Sequence, residues 1–120
     1  MRTELRRDLT AAIKDRDRVA VAALRSALAA IENAEAVPVD QHRKAGEVSG
    51  EHVAAAAVGL GAAEVERRHL TEADVREIVA REVSERTASA AEYERLGRGD
   101  DADRLRAEAG VLGRYLPAGR

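Results

Sequence analysis

The sequence predicts an all-α domain: two antiparallel helical hairpins packed as a four-helix arrangement, joined by an irregular, glycine-rich connection. Three observations predict it. Alanine, the best helix former, supplies nearly half of the apolar residues. Only Pro38 and Pro117 interrupt the chain, so long stretches are free to be helical. Apolar residues recur at helical spacing in four separate stretches. The length, 120 residues, suits a single domain with one core, and that core must be built without Phe or Trp. Small side chains compensate by letting helices approach closely.

The first helix follows Thr3, a candidate cap, and repeats Leu5, Leu9 and Ile13 on one face before ending near Lys14. Asp15 or Asp17 caps the second, in which Val21, Leu24, Leu28 and Ile31 keep the spacing of an interhelical seam. The short turn between them predicts antiparallel neighbours, a first hairpin over residues 1–36. Residues 37–70 contain Pro38, Gly46, Gly50, Gly59 and Gly61 and hold no sustained period, so they read as a connection with one short helix near Val53 to Val58. Thr71 then opens a third helix with Asp74 three residues on, close to a capping box. Its stripe is Val75, Ile78, Val79 and Val83, extended by Ala90 and Tyr93, and Gly97 fits the position just past its end. Asp100 or Asp101 begins the last helix, with Leu105, Ala109, Leu112 and Leu116 inward and Pro117 as the stop. The second hairpin therefore spans residues 71–117.

Composition excludes several functions. With no cysteine, the chain has no disulfide, thiolate chemistry or cysteine-ligated metal. Neither an apolar leader nor a run of the length needed to span a membrane occurs, so a cytoplasmic location without membrane contact is expected. Lys and Arg number 20 against 22 Asp and Glu, so binding to nucleic acid would have to come from a local patch.

Residues 59–64, GLGAAE, outline a phosphate-binding loop but fail its requirements. Glu64 stands where a dinucleotide loop needs its third glycine, alanine rather than a strand precedes it, and no Lys-Ser or Lys-Thr follows. A hinge between helical segments fits better, and no cofactor is expected. His42, His52 and His69 match no ligand spacing and read as surface histidines, so no metal is expected. Four serines, Ser26, Ser49, Ser84 and Ser89, lack a histidine at suggestive spacing, and no catalytic constellation emerges. Glu92 and Glu94 read as solvated positions with partners one helical turn away.

Basic residues gather at the first hairpin: Arg6, Arg7, Lys14, Arg16, Arg18 and Arg25. Near a turn such residues can contact phosphates. Glu4, Asp8, Asp15 and Asp17 lie among them, so a mixed-charge helical surface is the competing reading.

Two stretches carry more than composition. AIKDRDRVAVAALRSALAAIENAE and AEYERLGRGDDADRLRAEAGVLGRYLP resemble the GatB/YqeY-domain family. The match rests on Lys14, Leu24, Arg25 and Asn33 in the first, and on Tyr93, Arg98, Glu108, Leu112, Tyr115, Leu116 and Pro117 in the second. The resemblance implies kinship with the helical tail domain of the amidotransferase B subunit, part of an enzyme that converts misacylated Glu-tRNA or Asp-tRNA to Gln-tRNA or Asn-tRNA using glutamine. Members of the family usually continue past Tyr-Leu-Pro into a second small helical subdomain, so the resemblance implies a short form. It also implies a non-catalytic module that binds tRNA or an amidotransferase-like complex, and the basic residues Lys14, Arg16, Arg18 and Arg25 of the first hairpin are then the expected phosphate contacts. A helical adaptor that binds a protein partner or a second copy of itself, with no RNA role, is the alternative.

Overall fold

The computed structural model describes residues 1–36 and 68–118, and it is all-α. Four helices are described: α1 (Arg2–Asp15), α2 (Arg18–Ala36), α3 (Glu72–Arg95) and α4 (Gly99–Gly113). The expected short helix near Val53 to Val58, the glycine loop and His42 and His52 lie outside the described residues. Two compact units divide the chain, one formed by residues 1–31 with 71–120 and the other by residues 32–70. The first contains α1, most of α2 and all of α3 and α4. In the second, the amide of Arg68 donates to the carbonyl of Glu35 at 3.0 Å.

Local sequence sets the helix ends. Thr71 caps α3: its hydroxyl accepts from the amide of Asp74, and the Asp74 carboxylate accepts from the amide of Thr71, each at 3.0 Å. Asp therefore closes the capping box as Glu would. Asp17 caps α2 by accepting from the amide of Ala20 at 3.1 Å. Two boundaries differ from expectation. Met1, not Thr3, precedes α1, and Thr3 lies inside the helix. Helix α4 starts at Gly99, which puts Asp100 and Asp101 in its first turn, where carboxylates favour the positive end of the helix dipole.

The core of the first unit is narrow. Its buried apolar side chains are Leu5, Leu24, Ile31, Val75, Ile78, Val79 and Leu112 with six alanines, among them Ala12, Ala23, Ala27 and Ala90. Ile13 is an exception to its stripe: it is 48% exposed, because Ala12 and not Ile13 follows Leu5 on the buried face. Helices α3 and α4 run antiparallel, as the pairs Glu94–Arg106 and Arg86–Glu108 require. The N-terminal ammonium of Met1 meets Glu72 at 3.0 Å, joining the start of α1 to the start of α3.

One polar network sits within this core. The Arg86 guanidinium donates to Glu108 at 2.9 Å and to Glu82 at 2.8 Å, and the Ser26 hydroxyl donates to the same Glu82 oxygen at 2.7 Å. It ties α2, α3 and α4 together. Among the described residues no buried side-chain polar atom lacks a partner, which is what makes charge tolerable here.

Candidate functional site

Both hairpin turns use the same backbone motif. At the second, the amide of Arg98 donates to the carbonyl of Tyr93 and the amide of Gly97 to that of Glu94. At the first, the amide of Asp17 donates to the carbonyl of Ala12 and that of Arg16 to Ile13. Each is a Schellman closure, which needs one residue in the left-handed region. The second turn supplies Gly97 at φ 78°, and the first supplies Arg16 at φ 57°. Glycine takes that conformation freely, whereas an L-residue pays about 1–2 kcal/mol for it. Arg16 is the only non-glycine residue with positive φ among the described residues.

The side chains around the two turns also differ. At the second turn the cations are paired. Arg95 bonds Glu92, Arg98 meets Asp101 at 2.8 Å, Arg104 meets Asp101 at 3.4 Å, and Arg106 reaches Glu94 at 2.5 Å. Glu94 thus pairs across the hairpin rather than along its own helix. The Arg98 guanidinium also lies over the Tyr93 ring, 4.9 Å from its centroid. At the first turn Lys14, Arg16 and Arg18 are exposed, as is Arg25 two turns along α2. None of the four makes a hydrogen bond or ion pair through its side chain with a described residue.

Arg18 is also placed against the local field. It opens α2, whose first turn contains no acidic residue, and a cation there faces the positive end of the dipole. Lys14, in the last turn of α1, sits where a cation is favoured. Asp17 is engaged as the cap of α2. Asp8, Asp15 and Asp17 face a groove of about 450 Å³ that Arg114 and Tyr115 also help to line. Three acids against one base make this groove a poor seat for an anion. Lys14, Arg16, Arg18 and Arg25 lie outside that groove's lining and pair with no carboxylate among the described residues.

The other expected residues divide by role. Leu24 is buried in the core. Asn33 is exposed on α2. Tyr93 carries Arg98 at the second turn. Tyr115 bonds the Asp8 carboxylate through its hydroxyl, tying the end of α4 to α1. Burial first, and that bond second, push the Tyr115 phenol well above the usual tyrosine range. Leu116 and Pro117 line a groove against Ala73, Arg76, Glu77 and Ala80 of α3. The Tyr-Leu-Pro ending is therefore a fastening between helices. His69 is exposed, and no cluster of possible metal ligands occurs among the described residues. No described helix is long and apolar enough to cross a membrane.

Sequence reading missed Arg86, Glu82 and Glu108 as a unit. Arg86 falls between Val83 and Ala90, and a charged residue in that gap reads as solvated unless its partners are known.

A family model described as Yqey-like protein matches residues 52–119, more than half of the chain. The match takes in the second hairpin with Tyr93, Tyr115, Leu116 and Pro117, whereas Lys14, Leu24, Arg25 and Asn33 precede it. No curated protein and no solved structure matches the chain.

Proposed function

The chain belongs to the Yqey-like protein family, a family related to the tail domain of the amidotransferase B subunit, and on that premise we propose that it is a non-catalytic module that binds tRNA. The contacts are electrostatic and fall on phosphates, from Lys14, Arg16, Arg18 and Arg25. One observation carries the reading: these four exposed cations have no partner within the described structure, whereas those around the second turn pair with carboxylates. Phosphate contacts of this kind hold a nucleic acid without reading its sequence. The module's contribution is to position the RNA; any amide-forming chemistry belongs to other proteins.

The test is a mobility shift of bulk tRNA at low and near-physiological salt, with wild type and the double variant Arg16→Glu, Arg18→Glu. The wild type should retain tRNA and the variant should bind at least about tenfold more weakly, since two attractive contacts become repulsive. Equal binding by both proteins would remove these residues from the interface. No binding by wild type at low salt would remove the RNA role.

A further inference from the structure

We infer that the basic turn takes the sugar–phosphate backbone of a double-helical RNA stem, not a single strand; the inference rests on the RNA-binding reading above. Two features point there. The first is the state of the aromatic residues. Proteins that hold single strands stack bases on exposed rings within a basic groove. This chain has no Phe or Trp and only two Tyr. Arg98 occupies one face of the half-buried Tyr93 ring, and Tyr115 is half-buried with its hydroxyl held by Asp8. The ring beside the first turn, Tyr115, lies in the groove that Asp8, Asp15 and Asp17 help to line, where acids disfavour a nucleic-acid strand seeking a stacking platform.

The second is the rigidity and spacing of the cations. Arg18 and Arg25 are seven residues apart on α2, two turns of one helix, so their backbone positions are held about 10 Å apart. Both are exposed, and exposed Ala22 and half-buried Val21 lie between them on the helix. Arg16 is fixed one residue before the cap of α2 by the Schellman hydrogen bonds. A row of charges on a helix matches a partner whose phosphates are also fixed. A duplex meets that condition without further ordering. A single strand must lose chain entropy to meet it and gains no stacking in return. Recognition of A-form RNA by shape and phosphate needs no base contact, because its narrow major groove hides the base edges.

The test uses the full chain with a blunt RNA duplex of about 16 base pairs, a second duplex of scrambled sequence, and one component strand chosen to be unstructured. Binding is measured by fluorescence anisotropy at low salt. The two duplexes should bind alike, and each at least about tenfold more tightly than the strand. Equal or tighter binding of the strand would overturn the duplex assignment and leave the RNA role standing. A strong preference between the two duplexes would also overturn it, because phosphate contacts do not read sequence. Failure of all three RNAs to bind would overturn the inference together with the reading it rests on.

Discussion

At Arg16 the backbone takes φ 57° and ψ 37°, a conformation that the equivalent position of the second turn gives to Gly97. The arginine side chain repays none of that cost through a contact with a described residue. Local preference and the residue present disagree, and such disagreements concentrate at functional positions. Arg16→Gly should therefore raise stability while weakening RNA binding. The left-handed penalty disappears, the added freedom of glycine in the unfolded chain offsets part of the gain, and a net of about 0.5–1 kcal/mol remains. That corresponds to a melting temperature roughly 2–5 °C higher. Thermal melting and a tRNA titration on the same preparation check both halves; a variant that loses stability would mean that Arg16 serves the fold. Tyr115 makes a second prediction. Its folded pKa is raised, so the neutral phenol is favoured in the native state. The stability this confers is fully present below about pH 10, the unfolded value, and is lost as pH rises through the folded pKa. In a spectroscopic titration the phenolate signal that Tyr115→Phe removes should therefore appear above the usual tyrosine range. If the signal removed by that substitution titrates near pH 10 in the folded wild type, Tyr115 is not held as described.

At the scale of elements, the ion network and the turn pairs look alike as lists of charges but differ in weight. Arg86, Glu82 and Glu108 are largely shielded from water, with side chains 14%, 14% and 10% exposed. Removing Arg86 leaves two carboxylates close together with no cation between them, which should cost about 3 kcal/mol. Arg95 is 67% exposed in its pair with Glu92, so Arg95→Ala should cost less than about 1 kcal/mol. Urea unfolding of Arg86→Ala and Arg95→Ala measures the contrast, and equal effects would mean that the network is not a structural unit. The same contrast explains what the sequence made legible. The capping box at Thr71, the Gly97 closure and the stripes of α2 and α3 depend on neighbours within a turn or two, and their signals lie in consecutive residues. Ile13 departs from its stripe because Ala12 takes the buried face, and periodicity alone does not separate two adjacent apolar residues. The ion network was illegible because Ser26, Glu82 and Glu108 are separated by 56 and 26 residues in sequence, and only the fold brings them together. The basic cluster is visible as a cluster in the sequence, but its lack of ion pairs among the described residues is visible only in the fold.

Across the whole molecule the charges nearly cancel, with a formal net charge of −2. Long-range attraction to a polyanion is therefore weak, and any affinity must come from how the charges are arranged. Cations around the second turn pair with carboxylates, while Lys14, Arg16, Arg18 and Arg25 at the first hairpin pair with none among the described residues. Each phosphate neutralised releases condensed counterions, so the number of working cations can be read from the salt dependence of binding. The decisive measurement for the RNA role is the affinity of wild-type protein for tRNA across a salt series. Three or four phosphate contacts should give a straight line of log K against log salt with a slope of about −3. A slope near zero, or no binding at the lowest salt, would contradict it and leave the first turn a mixed-charge surface with no RNA role.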